Sequence, residues 1–510
     1  MKKYFFIPAM CIFIMLSAIG QINPKDNFQT ACGGHPEPPI TKVWDGSYSP
    51  WTRGSGTQDD PFQITEPEHL AYLAYLVKNG EGAGTDNVVL RDIHFKLMIN
   101  IDLNDIEWTP IGYRVIDSYH YFFGGHFDGI GYTVSGLFVS SKDEWLGLFG
   151  GIKDGSVTCL KVIGKIERKD PPAPALVPPP PLPPPPPPPP PRLDPYAGGI
   201  VGYAENTVIQ HCYSEVSIYL ENTDPTYIGG IAGASVGTTG GIFFGANTGN
   251  ITAFSAWRTI YLGGIVGYTT TPVRNSYNTG NIVSVFDESA AISCRGGIAG
   301  YSSADIIDCY NMGNIFGVCD IRRFNGGIVA AAQDNTVRNC YNAGTVSDTQ
   351  GGAIAGKRYN NNVTVSNCYY LNTSGGNNSL GGTSKTADFM KTTEMIELLG
   401  SAFWQDYAPD YFNQGYPILL YNVQTTGITD RTSLNRKITV YPNPTNGQLT
   451  IISSLDNKQL ANNYSIYNIA GQNVMQGVRE GETMTINVES LAKGIYYLKI
   501  MDETVTFIKE

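Results

Sequence analysis

Between Ala197 and Asn372 apolar and polar positions alternate in short runs that keep returning. Each copy begins near Gly-Gly-Ile-Val-Gly-Tyr, passes through a polar turn and ends near Cys-Tyr-Asn-x-Gly-x-Ile. Gly-Gly pairs start at Gly198, Gly229, Gly263, Gly296, Gly326 and Gly351, which sets a period of roughly 25 to 34 residues. Inside a copy, Ile200-Val201-Gly202-Tyr203 and Cys309-Tyr310-Asn311-Met312-Gly313-Asn314-Ile315 run with period two, bounded by Gly and Asn. That spacing predicts strands, not helices. A unit this small cannot bury an apolar face alone and must stack on its neighbours. The pattern therefore predicts an all-β fold, a parallel β-helix with about one coil per repeat and coils ~4.8 Å apart.

The flanks read as caps. Residues 21–44 form a polar lead-in. Thr65-Glu66-Pro67-Glu68 has the spacing of a capping box, and Leu70, Leu73, Ala74 and Val77 share one helical face that stops at Gly80. Such a helix would cover the open end of the solenoid, whose bare strand edges otherwise pair with strangers. Strand signals follow at Lys96–Leu103. Thr386 to Leu399 predicts a second amphipathic helix through Phe389, Met390, Ile396 and Leu399, followed by Trp404 and Gly415-Tyr416-Pro417-Ile418-Leu419. Residues 421–436 have linker composition. From Lys437 onward, short alternating strands with Gly, Pro and Asn turns predict a small β-sandwich.

The copies at Gly198, Gly263 and Gly296 resemble the GLUG repeat of bacterial surface proteins. Phe123-Gly124-Gly125-His126-Phe127-Asp128-Gly129-Ile130-Gly131-Tyr132 is similar to the lead-in before such repeats, so the resemblance spans about 45–420 with its flanks. The last domain, 437–510, resembles the type A sorting domain of the type IX secretion system of Bacteroidota. Its motif is carried by Tyr441, Pro442, Asn443, Pro444 and Gly447, and by Gly494 and Tyr496. The resemblance implies recognition by the type IX translocon and its processing machinery, passage across the outer membrane, and release or attachment to surface lipopolysaccharide.

Leu146-Gly147-Leu148-Phe149-Gly150 reads as a degenerate first copy, but it lies too far before Gly198. The excess is Pro171–Pro191, which is 21 residues with 16 prolines. Removing it restores an ordinary repeat, so the run is an insertion and not a domain boundary. Lacking N–H donors, it cannot join a sheet, and as a polyproline II rod it would reach roughly 65 Å. It is a passive spacer or a ligand for a proline-recognising groove.

Composition narrows the class. Only 15% of residues are charged while 58 are Gly and 31 Tyr, which excludes both an acidic disordered chain and a helical one. A net charge of −11 excludes a basic nucleic-acid surface. Lys2-Lys3, the apolar run Tyr4–Leu16 and Ala18-Ile19-Gly20 form a signal peptide, residues 1–20, cleaved before Gln21. The protein is expected outside the cytoplasm, secreted or attached to the outer surface after periplasmic transit.

Candidate chemistry is sparse. Cys212, Cys309, Cys340 and Cys368 recur at one repeat position, with Ser276 replacing one. They read as a column of small buried residues, with a vertical bridge such as Cys309–Cys340 open to it. Cys294 and Cys319 fall outside the pattern and are the stronger disulfide pair. Asn278, Asn311 and Asn342 predict a stacked amide ladder. The six His are scattered, and H-E-x-x-H and G-x-S-x-G motifs are absent, so no catalytic residue, metal or cofactor is assigned. Asp128 reads as a turn residue; Asp320, Arg322 and Arg323 are the one tight charged cluster. Alternation turns Tyr213, Tyr277, Tyr310, Tyr341 and Tyr369 outward as an aromatic face for a glycan or protein ligand. The favoured function is an adhesin-like binding or structural module; the alternatives are a β-helical glycan-degrading enzyme and a spacer that presents the proline rod.

Overall fold

The computed structural model describes Cys32 and residues 41–169, 195–419 and 438–509. Within those spans it leaves out 115–119, 141–143, 222–225, 256–259, 287–292, 319–322, 348–350, 359–361, 377–379, 405–412, 442–444, 454–461, 469–471, 480–482 and 501–502. The signal-like segment, the proline run and the linker lie outside the described residues. The chain divides into two units, Met1–Gln424 and Thr425–Glu510.

In the first unit the chain winds through four parallel sheets, called I to IV here in the order a coil visits them. One coil takes Thr226–Gly229 in sheet I, Ala232–Val236 in sheet II, Gly241–Phe243 in sheet III, and Ala246–Asn247 with Ile251–Ser255 in sheet IV. The next coil begins at Ile260–Gly263. Copies stack in register: Gly229 on Gly263, Ala232 on Val266, Ile242 on Val273, Asn247 on Asn278 and Ile251 on Ile282. Sheets I to IV hold six, ten, ten and fourteen strands among the described residues, so a parallel β-helix is the architecture.

Period two decides what fills the interior. Ile231, Ile265, Ile298 and Ile328 form one fully buried column, with Ile251, Ile282 and Ile315 in another. Each such side chain contributes roughly 1.5–3 kcal/mol relative to exposure. The glycine pairs mark the corner between sheets I and II. A Cβ on the first glycine, such as Gly263 or Gly296, would fall within 3.0 Å of backbone three residues on. A Cβ on the second would strike the Asn side chain facing it, as Gly297 would strike Asn311. The sixth copy sits one residue later than its spelling suggests, because Gly326 bridges to Gly352, not Gly351.

The segment 170–194 joins Lys161–Lys169 of sheet IV to Tyr196–Gly198 of sheet I. In the following coil 222–225 stands between the same two sheets, after Tyr213–Glu221 of sheet IV and before Thr226–Gly229 of sheet I.

The N-terminal helix is Pro67–Lys78, and Leu70, Leu73, Ala74 and Val77 join the same apolar cluster as the coils. The capping box does not form. Glu66 is the N-cap without a side-chain cap bond, while the Thr65 N–H donates to Nδ1 of His69 at 3.3 Å. The predicted C-terminal helix is two short ones, Ala387–Met390 and Thr393–Leu399, because Thr392 caps the second through the Met395 N–H.

The second unit is a sandwich of two antiparallel sheets. One holds Ile438–Tyr441, Gln448–Ser453 and Thr483–Asn487; the other holds Asn473–Arg479, Asn462–Asn468, Gly494–Ile500 and Glu503–Lys509. Leu449, Ile451, Ile466, Val488, Leu498 and Phe507 form its core. Tyr441 pairs with Thr450 in register, and Gly447 leads into the next strand. Gly494 opens its strand, and Tyr496 is buried with its Oη donating to the Ala492 carbonyl at 2.8 Å. Pro442, Asn443 and Pro444 lie outside the described residues.

Candidate binding face and cleft

The outward tyrosine column does not form an open face. Tyr277, Tyr310 and Tyr341 stack in register at 4.9 and 5.0 Å, but Tyr213, Tyr277, Tyr310, Tyr341 and Tyr369 are each no more than 8% exposed. The reason is tertiary: the chain returns over them, and Met390, Met395, Leu399, Phe403, Tyr416 and Leu419 pack on the column. Tyr341 is bonded into this cover, its Oη donating to the Pro417 carbonyl and accepting from Asn413 Nδ2, both at 2.6 Å. Burial also pushes the Tyr213 hydroxyl up to about 12.

Of the expected disulfide pair Cys294–Cys319, only Cys294 is among the described residues. Cys294 is a free, fully buried thiol in sheet I, packed with Ala330 and Ala331, and burial pushes it up to about 12. Its proposed partner Cys319 lies outside the described residues. Cys309 and Cys340 are also free, each donating to the carbonyl two residues before it at 3.2 Å. Among the described residues the disulfide is Cys32–Cys159. Cys159 escapes the cysteine column because it occupies the outer corner position, in left-handed backbone with φ 52°, as His211 does one coil on at 50°. Leu160 takes the inner place. Local spacing does not mark this pairing, which spans 127 residues.

The amide ladder is present and longer than expected. Asn247, Asn278, Asn311 and Asn342 are fully buried, and the first three each donate from Nδ2 to the next Oδ1 at 2.8 Å. Each amide also bonds the glycine two residues on, so turn and ladder close together. Asp128 accepts the Ile130 N–H at 2.9 Å, a turn bond. Arg323 begins a strand of sheet I, while Asp320 and Arg322 lie outside the described residues.

Sheets I and II, on either side of the glycine corner, carry a different aromatic row. Tyr196, Tyr227 and Tyr261 stack along sheet I at 4.9 and 5.2 Å, and Tyr268 and Tyr301 stack along sheet II at 4.8 Å. Tyr227 and Tyr268 meet edge to face across the corner at 5.5 Å. All five are half-buried, so their outer edges reach solvent. The signal was in the sequence, in the Tyr that closes Gly-Gly-Ile-Val-Gly-Tyr and the Tyr just before the next glycine pair. Periodicity alone could not say which aromatic column the cap would cover.

At its N-terminal end the row runs into a cleft of about 440 Å³, lined by Thr85, Asp86, Asn87, Arg114, His120, Phe122, Trp145, Lys153, Tyr196, Tyr203 and Glu205. One wall is a hairpin, Tyr113–Arg114 antiparallel to His120–Phe123. Trp145 and Tyr203 lie parallel at 5.3 Å, and Phe122 packs on the indole at 4.8 Å. Arg114 pairs with the buried Glu144 at 2.6 Å and sits 5.7 Å over the Trp145 ring. Lys153 pairs with Glu205 at 2.7 Å. Burial and then the nearby cations Arg114 and Lys153 hold His120 below its ordinary value, against the opposing pull of Glu205. His94 stacks on His126 away from these residues, and no cluster able to hold a metal occurs among the described residues.

Fold and tail define an exported β-solenoid. Residues 439–510 match the secretion system C-terminal sorting domain, and 195–219 match the GLUG motif. The tail places the protein on the type IX route to the cell surface or the extracellular space, in contact with that machinery. A segment of 132 residues is 33% identical to a "Putative Gly-rich membrane protein" of Evansella cellulosilytica, covering 24% of this chain and 13% of that protein. The chain thus spans only a small part of that relative's length. Among solved structures, a "putative immunoglobulin A1 protease from Bacteroides ovatus" aligns at 16% identity and TM-score 0.42, over 72% of this chain and 95% of that one. An "IgA1 Protease" aligns at 13% identity and TM-score 0.40, over 86% of this chain and 33% of that one.

Proposed function

We propose that the protein is a secreted or surface-attached β-helical binding module, adhesin-like, that presents the aromatic row of sheets I and II to an extended ligand. The observation that carries this is the half-exposed row itself, five tyrosines from Tyr196 to Tyr301 held at the coil spacing. A rigid solenoid fixes each ring before the ligand arrives, so little ordering cost falls on binding. The cleft carboxylates support binding over proton transfer, since Glu144 and Glu205 are each neutralised by a cation. Residues 1–20 serve as the signal peptide, cleaved after Gly20, and the domain from 437 is removed on arrival.

Purified protein applied to host epithelial cells and to extracellular-matrix extracts tests the reading. The expected outcome is saturable binding that drops strongly in a Tyr227→Ser/Tyr268→Ser/Tyr301→Ser variant with unchanged circular dichroism. Binding that survives this variant at wild-type strength would sink it.

A further inference from the structure

We infer that the cleft at the end of the row is a saccharide site, taking the terminal residue of a neutral pyranose chain; this rests on the binding reading above. Its size falls among small-molecule sites, about 300–1,000 Å³. Its aromatic floor is the half-buried Tyr203 and Tyr196, edge-on to each other at 5.1 Å, backed by the buried Trp145, which lies parallel to Tyr203. A pyranose offers the matching surface, a face of C–H groups that packs on an aromatic ring while its hydroxyls point to the sides.

The sides of the cleft are polar and held in place. Lys153 is fixed by Glu205 and lies 5.7 Å from the Phe122 ring centre, and Arg114 is fixed by Glu144 over the indole. Asn87, Thr85 and His120 add uncharged donors and acceptors. Every charged lining group has an opposite partner: Asp86 with Arg91, Arg114 with Glu144, Lys153 with Glu205. That leaves no unbalanced cation for a sugar carboxylate and no unbalanced acid for an amino sugar. Neutral sugars fit this balance.

An independent observation points to a ligand. Trp145 is 2% exposed, and its indole Nε1–H has no hydrogen-bond partner among the described residues. Buried donors are rarely left so. A sugar hydroxyl packed over the floor supplies the acceptor. The hairpin closes one end of the cleft while the tyrosine row continues from the other, so the chain end sits in the cleft and following residues lie along the row.

The test is isothermal titration of the full chain from Gln21 with cellohexaose, maltohexaose, mannohexaose and chitohexaose, with sialyllactose as the anionic probe. At least one neutral hexasaccharide is expected to bind with Kd below ~1 mM, with little change in 0.5 M NaCl, as befits an uncharged ligand. Trp145→Phe keeps an aromatic ring, smaller than the indole, and removes the N–H; it should weaken binding by at least about threefold to tenfold, the net worth of one hydrogen bond. Tyr203→Ala should weaken it about tenfold or more. The inference is overturned if no neutral hexasaccharide binds, if both variants bind as wild type, or if sialyllactose binds best and salt abolishes it. Cell binding that persists while the hexasaccharides fail removes the saccharide assignment and leaves the module reading. Absence of saturable cell binding by the wild-type protein removes the reading itself.

Discussion

At Gly297 two neighbours claim the space a side chain would need: the Gly327 carbonyl of the next coil and the Asn311 amide. The same holds at Gly230 and Gly264, where Asn247 and Asn278 fill the space. Gly199 faces Ser214 instead, and in the last copy Ala353 stands in the second-glycine place while Tyr370 follows Asn342 in the ladder position. Within one chain, then, every buried ladder amide faces a second glycine, while Gly199 shows that the glycine also occurs without one. The Asn311 amide takes the Asn278 Nδ2–H and the Gly313 N–H and donates to Asn342 and Gly313. Gly297→Ala is expected to cost ~1–3 kcal/mol or more through overpacking. Asn311→Ala should cost as much, because each orphaned buried group loses ~1–3 kcal/mol. Thermal melts followed by circular dichroism check both, with Gly447→Ala on an open turn as the neutral control. A Gly297→Ala protein that melts with the wild type would show that the corner relaxes freely.

The instructive element is the C-terminal cover. Amphipathic spacing identified a helical cap, and two short helices with Thr caps lie there. Where the cap sits decides what the tyrosine column is. It lies along sheet IV, so a row that alternation turns outward becomes an internal seam. Tyr341 anchors it through Pro417 and Asn413. Tyr341→Phe keeps the stacking and removes the hydroxyl, leaving the Asn413 amide and the Pro417 carbonyl without that partner. The expected cost is ~1–3 kcal/mol, confined to the cover. Hydrogen exchange should quicken in 387–419 and stay unchanged at Ile298 and its stacked neighbours. Exchange that quickens throughout the coils instead would mean that cover and solenoid open as one unit.

For the whole molecule, two separate cores divide the work. The solenoid's apolar cluster runs from Trp44 to Tyr370, and the sandwich has its own from Leu449 to Phe507. Each unit buries its own interior, so the solenoid does not need the tail to fold. Removing 437–510 should leave a folded solenoid in the periplasm, where the full chain reaches the surface or medium. Fractionation with protease accessibility reads this directly. Surface delivery of the truncated chain would mean that a second export signal lies upstream of 437.

The repeat, the period-two alternation and the turn glycines were enough to specify a parallel β-helix, its inward Ile columns and its amide ladder. These depend on local spacing and on like residues meeting like one coil away. The Tyr-Pro-Asn-Pro and Gly-Ile-Tyr segments likewise marked the sorting domain, since that signal is short and contiguous. What the chain could not reveal on its own is whatever depends on segments far apart meeting. Cys32 reaches Cys159 across 127 residues, a hairpin turns Arg114 and His120 into the wall of a cleft, and a cover hides one tyrosine column while leaving another open. Alternation says only that a side chain leaves the coil. Whether water or protein meets it outside is decided by the path of the rest of the chain.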